Sequence, residues 1–353
     1  MNKKIATFII GGSGYVSGEM IRLSLGHPYL ELQGVVSSTK QEQSIDSAFP
    51  HLATILRNLT FIDIASLMLD LPSHDKVLIL AAAPHGKSAE IIKKIYNEAH
   101  RLNVDLSIID TSADFRFNDA KAYQSIYGIK HCAPELLDKF LCNIPELEPS
   151  KTSKLIAHPG CFATSMLLSL APLISDNYSI ENAYISSVTG SSGSGALPQQ
   201  STHHPVRLNN HYAYSPLNHR HQPEVEHILK QSKGKSIKID FVPQSGSFVR
   251  GLHTTAFIRL DQAIQQDELQ SIFLDYYSKA PFVRIINHPP KIKDVSGTNY
   301  AELYATSSDK TVVINISIDN LIKGAAGGAI QWANKIYNFD PMDGLSQTSI
   351  GWY

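Results

Sequence analysis

Cysteine is scarce in this 353-residue chain: Cys132, Cys142 and Cys161 are the only three, and no two form a CxxC pair. An odd, scattered set specifies neither a disulfide framework nor a zinc-thiolate site, and it fits a reducing compartment. An excess of one charge is also missing. Thirty-one Lys and Arg face 32 Asp and Glu, a formal net charge of −1, so no basic tail marks the chain for nucleic acid. Long hydrophobic runs are absent too. The apolar stretch 5–10 stops at Gly11-Gly12 without a small-residue cleavage pattern, and 166–174 is broken by Ser169 and Pro172, well short of the roughly 18 residues of a membrane span. There is no internal repeat and no low-complexity tract. The expectation is a soluble cytoplasmic protein that binds neither nucleic acid nor membrane. Its composition, 43% hydrophobic and 18% charged, is globular, and the length allows roughly two domains.

Up to residue 157, short apolar strands at 5–10, 30–36, 77–82, 106–110 and 155–157 alternate with helical patterns such as 88–100, which predicts a Rossmann-type parallel sheet covered on both faces. After about 175 the texture changes. Strand character at 183–188, 236–242, 252–260, 283–286, 300–307 and 311–318, with little helix apart from 265–279, predicts a second α+β domain on a mostly antiparallel sheet. A last helical pattern, 324–337, has no strand after it and suits the first domain. The expected division is therefore 1–157 with 324–353 as the dinucleotide-binding domain, and 158–323 as the catalytic and dimerisation domain. The stretches 190–198 and 203–221 read as long loops, which in a compact domain are commonly functional.

The first strand runs into Gly11-Gly-Ser-Gly-Tyr-Val-Ser-Gly18 and then a helical pattern from Glu19 to Leu25, the context a dinucleotide fingerprint needs. Glycines let the backbone approach a pyrophosphate, while the helix N-terminus offers free N–H groups and its positive dipole end. Ser17 stands at the third glycine position, so close packing there must tolerate a hydroxymethyl group. Where the second strand ends, an NAD-specific site would place a carboxylate. The sequence has Ser37-Ser38-Thr39-Lys40, whose hydroxyls and ammonium suit a 2′-phosphate, favouring NADP over NAD. A polar turn with no ligand is the alternative.

His158-Pro-Gly-Cys161 follows the strand 155–157 and opens a helical pattern, which sets Cys161 at a helix N-terminus. The dipole there lowers a thiol pKa, and the free N–H groups can hold an oxyanion formed on an attacked carbonyl. Cys132 and Cys142 read instead as small hydrophobes. A proton partner is offered by a histidine-dense loop holding His203, His204, His211, His219 and His221. Alternation along His219-Arg220-His221 is expected to point the two imidazoles to opposite sides, one toward the cysteine. Metal is not expected, since these spacings lack the i,i+4 pattern of a helical zinc site.

These residues in this order resemble the N-acetyl-γ-glutamyl-phosphate reductases of the aspartate-semialdehyde-dehydrogenase-like superfamily. The resemblance covers nearly the whole chain: the glycine turn, Pro84-His-Gly86, Asp110-Thr-Ser-Ala-Asp-Phe-Arg116, Tyr127-Gly128, Ala133-Pro-Glu135, Pro159-Gly-Cys161, Gly190-Ser-Ser-Gly-Ser-Gly195, His219-Arg-His-Gln-Pro-Glu-Val225, Arg250-Gly251, Gly297-Thr-Asn-Tyr300 and Ile318-Asp-Asn-Leu-Ile-Lys-Gly-Ala-Ala-Gly327. Ser17 departs from the family glycine. The segment 195–210 looks closer to related reductases whose substrates ride on an amino-group carrier protein.

The resemblance implies NADPH-dependent reduction of an acyl phosphate to a semialdehyde through a Cys161 thioester, with His219 as acid/base positioned by the Pro223-Glu224 turn. It implies substrate contacts from Arg116, Ser191, Arg220 and His221, and NADP(H) contacts from Gly11, Ser13, Gly14, Tyr15, Val16, Ser37, Ser38, Lys40, Pro84 and Asn320. Arg116 suits an anion clamp, with a surface ion pair as the alternative. The loop 190–195 offers backbone N–H groups to phosphate or is a plain connection. A homodimer or homotetramer is implied. Rival readings are an aspartate-semialdehyde dehydrogenase, a reductase of an N-succinyl or carrier-linked glutamyl or aminoadipyl phosphate, and a catalytically silent NADP-binding regulator.

Overall fold

The computed structural model describes residues 4–56, 59–147, 153–174 and 178–352. The chain divides into two compact units. Unit 1 takes Met1–Asn143, Lys151–His158 and Ala326–Leu345, and unit 2 takes Ile144–Ser150, Pro159–Ala325 and Ser346–Tyr353. This differs from the division expected at 157 and 324 in two segments, and side-chain partners explain both. Glu146 pairs with Lys323 inside unit 2, and the Ser349 hydroxyl donates to the Lys293 carbonyl there.

Unit 1 is built on β1 (Ile5–Ile10), β2 (Leu30–Val36), β3 (Lys76–Ala81), β4 (Asp105–Asp110), β5 (Leu141–Cys142) and β6 (Leu155–Ala157). The order is β2-β1-β3-β4-β6-β5, with every pair parallel. β1 is buried along its whole length and β3 from Val77 onward, which is why both read as continuous apolar runs. The chain goes from β1 outward to β2 and then returns past β1 to β3. The crevice at that reversal is where open α/β sheets take ligands. Helix Ser88–Leu102 buries Ile92, Ile95 and Ala99 at helical spacing and ends on Asn103, whose left-handed φ of 57° lets its N–H close on Ala99 O. The final helix, Gly327–Tyr337, packs on helix Tyr15–Leu25 and on β4. Its Trp332 donates to Asn143 O at 3.1 Å.

Unit 2 carries β7 (Ile180–Thr189), β8 (Tyr212–Ala213), β9 (Ile239–Ser245), β10 (Leu252–Leu260), β11 (Val283–Ile285), β12 (Ala301–Ser308) and β13 (Thr311–Ile318). They form one sheet in the order β11-β12-β13-β10-β7-β9-β8. Four pairings are antiparallel and two are parallel, so the sheet is mixed with an antiparallel majority, as the short alternating strands predict. One face buries Ala183, Ile185, Ala256, Ile258, Ile314 and Ile316 beneath helices Cys161–Leu170, His221–Lys233 and Gln266–Tyr276. On the other face Tyr184 and Phe257 stand opposite each other, 51% and 50% exposed.

Helix His221–Lys233 corrects the expectation of little helix beyond 265–279. Its signals are present in the sequence. Val225, Ile228 and Leu229 share the buried face, and Gly234 closes the helix in the left-handed region at φ 70°. Pro223 lies in the first turn, where proline is tolerated. The expected long loops are also partly ordered into short turns at Ser191–Ser194 and His204–Arg207 and into β8. Among the described residues no helix is long and apolar enough to cross a membrane.

Candidate active site

Cys161 is the first residue of helix Cys161–Leu170, as the Pro-Gly turn predicts. Gly160 precedes it in extended conformation at φ −68°, ψ 162° and its carbonyl accepts from Thr164 N at 2.8 Å. Every later residue of the helix is buried, while Cys161 is half-buried at the tip. A buried hydroxyl chain locks this helix onto the sheet. Ser165 Oγ lies 2.8 Å from Thr254 Oγ1, which lies 2.7 Å from Ser187 Oγ, so a shift of the helix would leave buried polar groups unpaired.

The histidine segment meets this turn from helix His221–Lys233. The Glu224 carboxylate, fully buried in the first turn, accepts from Gly160 N at 2.7 Å. The His221 ring lies over Gly160 so closely that a Cβ there would stand 2.1 Å from Nε2. Only glycine fits. His219 packs against the same group: its ring centroid is 4.7 Å from that of His221 and 5.6 Å from Phe162, while His221 is 5.8 Å from Phe162. The two imidazoles are thus neighbours, not on opposite sides. Two residues apart on extended backbone share one side, so alternation does not separate these rings; here Arg220, at φ −55°, ψ −24°, turns the chain into the helix that opens at His221, and the two rings meet at that corner. Nor is Pro223-Glu224 a turn behind His219: it is helix, and its carboxylate serves Gly160.

Burial, with the Arg220 charge adding to it, holds His219 down at about 4. The ring is therefore neutral at pH 7, with one nitrogen unprotonated. The His221 N–H points at His219 Nδ1 from 3.3 Å, a weak hydrogen bond. Arg220 itself is exposed at the head of its helix. Two further residues join the group that were given no role from the sequence, although Gly324 falls within the motif Ile318–Gly327. Tyr214 sets its ring edge-on to His219 at 5.7 Å, and burial first, then the nearby Cys161 charge, push its phenol well above the usual tyrosine range. Gly324 lies against the nucleophile candidate, where a Cβ would be 2.5 Å from Cys161 Cβ.

Ser191 is half-buried in the turn Ser191–Ser194. Of the two readings of loop 190–195, the plain connection fits its hydrogen bonds better, because five of its N–H groups are engaged inside the protein. Gly190 N, Ser191 N and Ser192 N donate to Gly251 O, Phe248 O and Val249 O, and Gly193 N and Gly195 N close the turn itself. Asn320, expected at the cofactor, has both ends of its amide engaged within unit 2: Oδ1 accepts from Gly251 N at 2.8 Å and Nδ2 donates to Ser192 Oγ at 3.0 Å.

In unit 1 the glycine turn fits a dinucleotide. Helix Tyr15–Leu25 begins directly after Gly14, which is extended at φ −86°, ψ 164°. A Cβ at Gly14 would meet only Gly11 O, at 4.0 Å, so the space before the helix N-terminus is open. Gly11, at φ 86°, lies so close to the end of β3 that a Cβ would sit 2.5 Å from Ala82 and Ala83 backbone. Ser17 does not obstruct the turn; its hydroxyl donates to Gly11 O at 2.7 Å. Close packing falls instead to Gly18, where a Cβ would strike the Phe49 ring at 2.7 Å. Ser13 and Val16 are half-buried and Tyr15 is exposed on the same turn. After β2, Ser37 is buried with its N–H on Ile62 O, Ser38 is exposed and Lys40 is half-buried.

Pro84 is exposed and its carbonyl starts helix Ser88–Leu102 by accepting from Lys87 N at 3.0 Å. The Asp110–Arg116 motif holds that turn. Asp114 accepts from Gly86 N, Ala89 N and Tyr123 Oη, and His85 Nδ1 accepts from Ala113 N. Arg116 is 4% exposed and donates to Thr111 O at 2.7 Å, which rules out the surface ion pair.

A family model described as the semialdehyde dehydrogenase NAD-binding domain matches residues 6–153, and one described as the semialdehyde dehydrogenase dimerisation domain matches 161–320. An N-acetyl-gamma-glutamyl-phosphate reductase of Methanosphaera stadtmanae is 33% identical, with 98% of this chain and 99% of that protein aligned. A LysW-L-2-aminoadipate/LysW-L-glutamate phosphate reductase of Saccharolobus solfataricus is 35% identical, with 98% of each covered. Among solved structures, aspartate semialdehyde dehydrogenase II of Vibrio cholerae complexed with ASA superposes with a TM-score of 0.70 at 14% identity, over 96% of this chain and 99% of that one. An aspartate semialdehyde dehydrogenase with NADP from Candida albicans gives 0.66 at 13%, over 95% and 99%. At such identities the fold is what is shared.

Proposed function

The chain belongs to the semialdehyde dehydrogenase family, and from that premise we propose that it reduces N-acetyl-γ-glutamyl phosphate to N-acetylglutamate 5-semialdehyde, with release of phosphate, as a cytoplasmic enzyme of arginine biosynthesis. It is an oxidoreductase using a nicotinamide cofactor, and NADPH is the form proposed. When bound, the cofactor supplies a hydride; the turn Gly11–Gly14 with Tyr15 and Val16, the Pro84 turn, and Ser37, Ser38 and Lys40 would hold it.

The observation that carries the reading is Cys161 at a helix N-terminus, in unit 2, with the His219 and His221 rings packed on the same turn. Neutral His219 takes the proton of the Cys161 thiol as sulfur attacks the acyl carbon, and that proton departs with the phosphate. The helix N-terminus holds the carbonyl oxygen as charge builds on it. A second proton, from solvent, reaches that oxygen through His219 as the thioester is reduced. It returns through His219 to sulfur when the carbon–sulfur bond breaks and the aldehyde leaves. Ser191, His221, Arg220 and Arg116 are the proposed substrate contacts.

Replacing Cys161 by serine tests the mechanism. Turnover is expected to vanish while NADPH affinity is nearly unchanged, because a hydroxyl is far less ionised than a thiol at neutral pH; more than a few per cent of residual activity removes the thioester. A second reading rests on the segment 195–210 and on the LysW-linked relative: the amino group of the substrate carries a carrier protein in place of acetyl. Assay in the oxidative direction, with phosphate and NADP, comparing N-acetylglutamate semialdehyde with N-succinyl and carrier-linked analogues, decides between them.

A further inference from the structure

Between β13 and the final helix the chain makes a five-residue π-helix, Ile322–Ala326, a wide and uncommon form that often marks functional sites. Gly324, at its centre, is the residue that lies against Cys161. What fixes it is Asp319, a carboxylate with no side-chain exposure. Oδ1 accepts from Leu321 N at 2.9 Å and Ile322 N at 2.8 Å. Oδ2 accepts from Gly297 N at 2.7 Å and from Arg250 Nε at 2.6 Å. The Asp319 carbonyl then accepts from Gly324 N at 3.0 Å. One residue beyond its start the π-helix is pinned again by Lys323, which is fully buried against Glu146 and lies over the Phe282 ring.

We propose that Asp319 is a positioning residue for the nucleophile: by gathering Arg250, Gly297 and the start of the π-helix it presses the bare Cα of Gly324 against Cys161 and so sets where the sulfur stands. The inference rests on the reading of Cys161 as nucleophile and adds a residue with no acid–base or substrate role of its own. An asparagine keeps the shape but turns one acceptor into a donor, facing either two backbone N–H groups or Gly297 N and Arg250 Nε. The cluster must then open. An alanine at 324 acts from the other end, since its Cβ would overlap Cys161 Cβ.

The test uses the full-length enzyme with two separate variants, Asp319→Asn and Gly324→Ala, each checked for wild-type far-UV circular dichroism and melting. In each folded variant kcat is expected to fall by roughly 10²-fold, the usual consequence of misplacing a reacting atom by about 1 Å. The acyl-phosphate KM should change much less than kcat in Gly324→Ala. Iodoacetamide labelling of Cys161, read by peptide mapping so that Cys132 does not contribute, should slow by at least about tenfold at pH 7, a change that a loss of general stability would not bring. Either variant, folded, with wild-type kcat and wild-type Cys161 labelling overturns the proposal, and the two are read independently, so one folded chain decides. Turnover by Cys161→Ser would defeat the thioester instead, and the labelling rates would still report whether Asp319 and Gly324 place the sulfur.

Discussion

His219 shows how one side chain's surroundings set its chemistry. Because burial and Arg220 hold its pKa near 4 instead of 6.5, the acid limb of kcat/KM belonging to it should lie near pH 4. Arg220→Gln removes the smaller of the two causes, so the limb should move upward but stay below 6.5; an unmoved limb would show that Arg220 does not act on the ring. His219→Asn should erase the limb and lower kcat by roughly 10²–10⁴-fold. The same depression makes stability depend on pH. The unfolded chain binds the proton more tightly, so this contribution is complete above about pH 6.5 and is lost as pH falls toward 4. Lys40 and Ser38 make a second residue-scale prediction. If they contact a 2′-phosphate, NADPH should exceed NADH in kcat/KM by at least about tenfold, roughly 1.4 kcal/mol. Equal efficiency with the two cofactors would rule the contact out.

At the scale of elements, the Asp110–Arg116 motif is a connector between the end of β4 and the turn after β3. Asp110 is wholly buried, and burial first, then the neighbouring Asp114 charge, raise it to about 6 against hydrogen bonds from Ser112 and Ser88 that pull it down. A carboxyl that binds its proton more tightly when folded stabilises most below the unfolded value near 4, and that contribution is lost as pH rises through about 6. The shift corresponds to on the order of 3 kcal/mol. Melting temperatures of wild type and Asp110→Asn, compared across pH 4–6.5, should converge at the acid end and diverge in favour of asparagine toward neutral pH. Parallel curves would mean that Asp110 does not titrate in this window. The element also shows what sequence spacing hides. Its letters suggested an anion clamp at Arg116, which stands as a proposal, but did not show that the carboxylates of Asp110 and Asp114 are committed to Ser88, Ser112, Gly86, Ala89 and Tyr123.

For the whole molecule, the match of residues 161–320 to a dimerisation-domain model supports a homo-oligomer, and we propose the sheet face of unit 2 around Tyr184 and Phe257 as its contact, since two opposed half-exposed aromatics on one strand pair are costly to leave in water. Tyr184→Asp with Phe257→Asp should lower the sedimenting mass to that of one chain of 38.9 kDa without loss of secondary structure. An unchanged mass would assign the assembly to another surface.

Local physics made much of this protein legible from its letters. Residues 5–10 form a buried strand, glycine ends it, and a helix starts one residue after Gly14, because each depends only on neighbours in the chain. Cys161 at a helix start follows from His158-Pro-Gly in the same way, and helix His221–Lys233, though not expected, had its apolar spacing and closing glycine in plain view. Distant partners were not legible. Glu224 on the Gly160 N–H, Gly324 on Cys161 and Asp319 between Arg250 and Gly297 join residues far apart in sequence, and no pattern along the chain records which buried carboxylate will meet which orphaned N–H. The tertiary structure decided these pairings because a buried polar group must find its partner wherever packing brings one. The same demand spent the N–H groups of the 190–195 loop on their own protein, buried Arg116, and made two histidines neighbours on one ring.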